Sequence, residues 1–434
     1  MKNFLSLLCY RVFFLALLPV LLIVFIVRSI NHSDYRHRLS ERLGILPKGI
    51  SGGGIVIHAA SVGEVIAIKA FVEKVLIAYP EIPITVTTFT PTGSEQVKKF
   101  WGERVQHCYF PLDVFCCSWL FLNKLRPQAL VIMETELWPN IIAQAADRNI
   151  KLLLINARLS ERSCRRYKKL AHLVTPTIKR FDKILAQSDE NRNNYLALGA
   201  QQQQCVNSGN LKFDIASNQS IAEKQHELAQ YLASDRPIWL VASTHPGDEE
   251  IVLAAYKAII KHFPTLLLIM VPRHPERFTA VAKLCQSKQL SFVRRSEKEQ
   301  VTDNTQIWLF DTLGELMPAF SLASIVTMGG SFSDIGGHNP LEPALFKKPI
   351  IVGPDMSNFN EVLEQLFAKK GVIQLTNKQD ITTELPHVVQ QLLQDHQLAT
   401  STGENAYTVV QDNQGASEKS LLALQALMNN TTTS

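Results

Sequence analysis

The sequence lacks most of the marks that sort a protein quickly. Its seven cysteines are odd in number and form no C-x-x-C pair, which argues against a disulfide framework or zinc ribbon and suits a reducing compartment. There is no H-E-x-x-H, no Asp-x-Asp after a strand-like run, and the twelve histidines are scattered, so neither a metal nor another cofactor is expected. G-x-G-x-x-G and G-x-x-x-x-G-K-[ST] are both missing, which demotes classical dinucleotide dehydrogenases and P-loop NTPases. Lys and Arg (44) barely exceed Asp and Glu (39), and the net charge of +5 forms no unbroken basic stripe; nucleic acid is not an expected partner. No internal repeat occurs, and low complexity is confined to Gln201–Gln204 and the polar tail Asn429–Ser434. What remains is a chain of 434 residues, 46% hydrophobic, too apolar for disorder and long enough for two or three domains with their own cores.

The first 34 residues are expected to be an N-terminal membrane anchor. Val12 to Val27 is an apolar run containing Pro19, preceded by Arg11 and the mostly apolar Phe4–Tyr10. A cleaved signal peptide is the rival, but no small-x-small site follows; the chain passes straight into Arg28-Ser29-Ile30 and Tyr35-Arg36-His37-Arg38. The run is short for a hydrocarbon core of about 30 Å, and extending it back to Phe4 would put Arg11 inside the bilayer. Spanning and shallow monotopic insertion therefore both stay open. Arg28, Arg36, Arg38, Arg42 and Lys48 follow, which places the main body on the cytoplasmic side and favours an anionic bilayer.

From Ile55 the chain alternates short β-branched runs (Ile55–Ile57, Ile84–Val86, Ala129–Ile132, Leu152–Ile155, Ile184–Ala186) with amphipathic segments such as Val65–Tyr79 and Ile141–Asp147. Such runs suit strands buried on both faces of a parallel sheet, and the unit is βαβ. A polar connector with a surface helix covers Ala216–Arg236, after which Ile238–Ala242, Leu266–Val271, Ile307–Phe310, Ile325–Met328 and Pro349–Val352 repeat the pattern. The expected class is α/β: two doubly wound, Rossmann-like domains, 35–220 and 221–434, facing a cleft at their strand ends.

Several constellations fall at those strand ends. Ser61-x-x-Glu64 opens a helix after the first strand and has the form of a capping box, so Glu64 is either a cap or a base. Thr92-x-x-Glu95 has the same form with no better claim. Glu134 and Glu136 directly follow a buried run, where carboxylates are costly unless exposed or paired; ahead of Pro139 they also read as ordinary helix-initiating residues. Lys212, in Asn207–Asp214, can offer a positive charge or simply be solvated. In the second half, Ser243–Glu250 leads from a strand into a helix whose N-terminus would favour an anion. Arg273 after Pro272 can grip a phosphate, and Leu313-Gly314-Glu315 opens another helix. Gly329-Gly330 and Gly336-Gly337-His338-Asn339-Pro340-Leu341-Glu342 permit close backbone approach to a phosphate, with Glu342 either a ribose acceptor or a cap.

Taken in order, His58–Glu64, Thr90–Ser94, Glu134–Asn140, Gly209–Asp214 and Gly336–Glu342 resemble the 3-deoxy-D-manno-octulosonic acid (Kdo) transferases of lipopolysaccharide synthesis. The resemblance runs from about Tyr35 to Val362 behind the apolar anchor. It implies a GT-B type glycosyltransferase at the bacterial inner membrane, with the lipid A precursor bound by the N-terminal domain and CMP-Kdo by the C-terminal one. It makes Glu64 the general base and Glu134 and Lys212 assisting groups. For CMP it points to Pro272, Arg273, Leu313, Gly314, Glu315, Asn339, Pro340, Leu341 and Glu342. Chemistry agrees: a carboxylate can take the proton of an attacking hydroxyl, and cationic groups and helix N-termini can meet the charge of a departing phosphate. The alternatives are a transferase using a UDP sugar, a nucleotide-sugar epimerase of the same architecture and a tethered nucleotide-binding protein without catalysis.

Overall fold

A computed structural model describes residues 2–31, 38–214, 219–376 and 380–429; Tyr35, Arg36, Ala216–Asn218 and the tail from Asn430 lie outside them. The chain forms two compact units, one of Met1–Asp214 with Asn413–Ser434 and one of Ile215–Asp412. In the first unit seven strands, β1 (Ile55–His58), β2 (Ile84–Thr88), β3 (Gln106–Tyr109), β4 (Ala129–Met133), β5 (Lys151–Ala157), β6 (Lys183–Ala186) and β7 (Cys205–Asn207), lie in the order β3-β2-β1-β4-β5-β6-β7. The second unit holds β8 (Ile238–Thr244), β9 (Leu267–Pro272), β10 (Phe292–Arg294), β11 (Ile307–Leu309), β12 (Ile325–Met328), β13 (Ile350–Val352) and β14 (Ile373–Gln374), ordered β10-β11-β9-β8-β12-β13-β14. The ladders between these strands are all parallel.

The apolar runs do what their composition demands. Along β1, Ile55 and Ile57 enter one core and Val56 the other; along β5, Leu153 and Ile155 oppose Leu152 and Leu154. Period-two alternation thus fills the layers on both faces of the sheet. The expected Val65–Tyr79 helix is two, Val62–Ala67 and Lys69–Ala78, meeting at Ile68.

The end of the chain corrects the expected boundaries. Asn413–Ser434 belongs to the first unit, not to a 221–434 domain. Helix Ala416–Asn429 sends Ala416, Leu421, Leu424 and Met428 into the core that holds Ile57, Val65 and Val72. Asp214 fixes its start: Oδ1 accepts from the Gly415 N–H at 2.6 Å and Oδ2 from that of Ser417. A polar composition with one buried stripe carries no label for the core it completes.

In each sheet the strand order reverses between two central neighbours, β1 and β4 in the first and β8 and β12 in the second. Helices leave such neighbours toward opposite faces, and the crevice so formed at the carboxyl ends is where open α/β sheets bind ligands.

Candidate active site

The crevice of the first sheet is built from the segments after β1 and β4. Ser61 caps helix Val62–Ala67, its Oγ accepting from the Glu64 N–H at 3.4 Å. The Glu64 carboxylate folds back over the same turn, Oε2 accepting from the Ala60 N–H at 2.8 Å and Oε1 from the Ser61 hydroxyl at 2.9 Å. The cap therefore exists, and it clamps the carboxyl group at the mouth of the sheet. Glu134 follows β4 with φ +57°, a left-handed conformation that an L side chain rarely adopts. Its N–H donates to Ile155 O at 3.0 Å, and the Tyr195 hydroxyl donates to its carbonyl at 3.4 Å. Strain held by surrounding bonds in this way is a feature of functional sites.

Burial pushes the Glu64 carboxyl up to about 7, with the negative charge of Glu134 the next cause and that of Glu136 a smaller one, against the opposing bonds from Ala60 and Ser61. Burial also raises Glu136, whose carboxylate accepts from the Trp138 indole N–H at 2.7 Å. A carboxyl group titrating near neutrality at a crevice is poised to exchange protons.

Lys212 sits in the turn Leu211–Phe213, which packs against helix Val62–Ala67. An amide network sets that turn. Asn210 Oδ1 accepts from Lys212 N–H at 3.0 Å, and Asn156 Oδ1 from Leu211 N–H at 2.9 Å. Gln187 donates to Asn156 O at 3.0 Å and accepts from Asn210 Nδ2 at 3.3 Å. Asn156 is fully buried at a register shift in β5, with φ +51°. The structure thus gathers Glu64, Glu134 and Lys212 at one end of one sheet. Asn156 and Gln187 are not among the residues expected at the site, although an Asn ending the apolar run Leu152–Ile155 is a polar group buried at a cost that calls for partners.

The second crevice collects the remaining residues. Arg273 follows β9, and its N–H donates to Thr244 O at 3.0 Å. Leu313 is 70% exposed and Gly314 has φ +81°, so backbone is presented there. Glu315 is engaged: Oε1 accepts from Arg295 at 2.8 Å and Oε2 from the Thr312 hydroxyl. Asn339 Oδ1 accepts from Leu341 N–H at 3.2 Å at the start of the short helix Leu341–Ala344. Pro272, Pro340 and Leu341 have buried side chains, so any contact they make with a ligand runs through backbone.

Between Arg273 and the Gly329–Gly330 turn stand three histidines the sequence did not single out together. His245 Nε2 and His338 Nε2 are 2.9 Å apart with near-parallel rings, and His274 meets His245 edge-on. Burial lowers both members of the close pair, His338 to about 4, and the charge of Arg273 contributes to each. One neutral ring therefore donates to the other. Gly329 is required here: a Cβ would stand 2.6 Å from Ser243 O. The helix after β8 differs from expectation. Asp248 is its first residue, and Oδ2 ties the preceding loop to the glycine turn, accepting from His245 N–H at 2.9 Å and Gly330 N–H at 2.7 Å. An external anion at that terminus would meet Asp248, Glu249 and Glu250, and the neighbouring glycine turn offers it no free donor, since the Gly329 N–H donates to Ala242 O at 2.7 Å and that of Gly330 to Asp248.

Residues 37–215 match the family model of 3-deoxy-D-manno-octulosonic-acid transferase (kdotransferase). A 3-deoxy-D-manno-octulosonic acid transferase of Haemophilus influenzae is 41% identical over 419 residues, covering 95% of this chain and 97% of that protein. One from Bordetella pertussis is 30% identical over 379 residues, 85% of this chain and 86% of the relative. A crystal structure of UDP-GlcNAc 2-epimerase from Neisseria meningitidis bound to UDP-GlcNAc superposes with a TM-score of 0.53 at 15% identity, covering 86% of this chain and 100% of that one, a likeness of fold alone. Near-complete coverage by relatives of one activity, on two doubly wound units, places the chain in the 3-deoxy-D-manno-octulosonic acid transferases, glycosyltransferases of lipopolysaccharide biosynthesis.

Proposed function

We propose that this chain transfers Kdo from CMP-Kdo to the lipid A precursor, lipid IVA, with inversion at the anomeric carbon and Glu64 as the general base. The observation that carries the proposal is the Glu64 carboxyl, clamped at the β1–β4 crevice and raised to about 7 by burial and by Glu134. An acceptor hydroxyl oxygen bonds to the anomeric carbon as the bond to the phosphate oxygen breaks. The hydroxyl proton passes to Glu64, and CMP leaves with the electron pair. Base and leaving group then act on opposite faces of the sugar, which inverts the centre. Lys212 and Glu134 set the field around the reacting carbon. Arg273 and the backbone at Pro272, Leu313–Gly314 and Asn339–Leu341 are the groups assigned to CMP, with Glu342 on its ribose and Glu315 holding its loop through Arg295.

On this reading the enzyme works at the cytoplasmic face of the inner membrane, which an apolar helix followed by basic residues and a phosphorylated, acylated acceptor supports. The test is incubation of the detergent-purified protein with CMP-Kdo and a tetraacylated lipid A precursor, following CMP release and lipid mass. Discrete Kdo increments that vanish in Glu64→Gln support the reaction and count its additions. Increments that persist in Glu64→Gln remove Glu64 as the base, and CMP binding without increments overturns the acceptor.

A further inference from the structure

The N-terminal helix, Lys2–Asn31, is long and apolar enough to cross a membrane, yet one stripe of it is already occupied. Ser6, Leu7, Tyr10, Arg11, Phe14, Leu17, Leu18, Leu21 and Leu22 are half-buried while the positions between them are exposed. That spacing of three and four residues is one face of a helix laid along a surface. The surface is the first unit: Phe14, Leu18 and Leu21 pack against Leu112, Val114 and Cys117, and the helix lies against helices Pro139–Ala146 and Ala171–Ile178.

Two polar latches fix the seat. The Tyr10 hydroxyl donates to Asp113 Oδ2 at 2.9 Å, and Arg11 Nε donates to Asn140 Oδ1 at 3.1 Å, its guanidinium standing 4.6 Å from the centre of the Phe115 ring. Asp113 is buried and caps helix Pro139–Ala146, accepting from the N–H groups of Asn140 and Ile141. Asn140, the last residue of the Glu134–Asn140 motif, is thus given to holding the membrane helix. Beyond Leu22 only about 8 Å of apolar helix remains to Val27, and before Ser6 only about 6 Å, at about 1.5 Å per residue. Neither end reaches across about 30 Å of hydrocarbon, and a crossing centred on the seated stretch would draw Asp113, Asn140 and the surrounding backbone into lipid.

We infer that this helix does not span the bilayer but lies in the leaflet facing the catalytic domains, seated lengthwise on the first unit so that both form one membrane-embedded face. The inference rests on the membrane assignment above and specifies its geometry. The outward residues of the helix, among them Leu8, Val12 and Leu15, are exposed, and so are Phe115, Trp119 and Leu120 on the neighbouring helix Phe115–Leu125. An apolar crevice of about 290 Å³ runs along the seam, lined by Arg11, Val12, Leu15, Val114, Phe115 and Cys116. Lipid acyl chains are the occupant that suits this seam. Anionic headgroups are matched by Arg162, Arg165, Arg166, Lys168 and Lys169, which are exposed on and just after helix Glu161–Lys168, itself packed on helix Ala171–Ile178.

Cysteine topology tests this. In a Cys9→Ser, Cys116→Ser background the remaining native cysteines are buried. Asn3→Cys and, as a reference on the second unit, Lys261→Cys are exposed to a membrane-impermeant maleimide in spheroplasts, in inverted vesicles and after detergent, with transferase activity confirming the fold. Asn3→Cys is expected to stay as unlabelled from the outer face as Lys261→Cys and to react in inverted vesicles or on adding detergent. Labelling of Asn3→Cys in spheroplasts at the level seen after detergent, with Lys261→Cys protected, overturns the seated helix in favour of a span. Recovery of active protein from the soluble fraction overturns the membrane assignment itself, a different result from either labelling pattern.

Discussion

At the scale of the residue, the cap that Glu64 forms and the base proposed for it need not be alternatives. The bonds from Ala60 and Ser61 that complete the turn also stop the carboxyl group from rotating away, and they oppose the burial that raises its pKa. The net value of about 7 gives a pH dependence with a definite sign. The proposed base is competent only when ionised, so kcat/KM should rise through pH 7 from the acid side. Glu134→Gln removes the neighbouring charge that resists ionisation, and the acid limb of the pH–rate profile should move to lower pH even as the maximal rate falls. A limb that stays in place would separate it from Glu64. Stability runs the other way. Because the folded state holds this proton more tightly than the unfolded chain, whose ordinary value is 4.5, stability declines as pH rises from 4.5 through about 7. Glu64→Gln should therefore raise Tm above neutral pH while transfer is lost, and thermal melts at pH 5 and pH 8 check it, the gain appearing only at the higher pH.

At the scale of the element, legibility follows burial. The ten central strands were readable because their residues are apolar on both faces, as in Leu152–Ile155. The four that were not, Gln106–Tyr109, Cys205–Asn207, Phe292–Arg294 and Ile373–Gln374, are the outer strands of the two sheets. Edge strands are kept short and polar, which protects them from pairing with other chains and erases the apolar run. The site shows the same division. Glu64, Glu134 and Lys212 were visible as charged residues beside strands, whereas the His245–His338 contact joins residues 93 apart in sequence and needs the sheet order to exist. The Asn413–Ser434 segment was misassigned for a like reason, since its partner Asp214 lies some two hundred residues earlier. Its role gives a prediction. Asp214→Ala removes the acceptor for two N–H groups at a helix start and should cost about 1–2 kcal/mol, read as a lower urea midpoint for the first unit. Truncation after Asp412 should be far worse, because it strips Ala416, Leu421, Leu424 and Met428 from a core that also holds β1. An aggregated or protease-sensitive first unit is the expected outcome, and normal expression of the truncated enzyme would show the helix to be dispensable.

At the scale of the molecule, the two sheets have separate cores: Trp239, Tyr256, Met270 and Ile351 cluster only with second-unit residues, and Ile57, Leu130 and Ile155 only with those of the first. Independent cores melt as independent transitions where few contacts couple them. A ligand that binds one native unit raises that unit's stability by an amount set by its saturation, about 2.7 kcal/mol at a hundredfold excess over Kd, and leaves the other unchanged. Calorimetry of the detergent-solubilised enzyme should therefore resolve two transitions, with CMP raising only the one that belongs to Ile215–Asp412. Arg273→Ala identifies which transition that is, since it should abolish the CMP shift without moving the apo melting temperatures, its side chain being exposed and outside the core. UDP at the same concentration should shift neither transition appreciably if the pocket discriminates for cytosine. Equal shifts by CMP and UDP would return the donor to the wider class of nucleotide sugars, while a CMP shift in the first transition would place the nucleotide on the β1–β4 crevice and displace the acceptor from it.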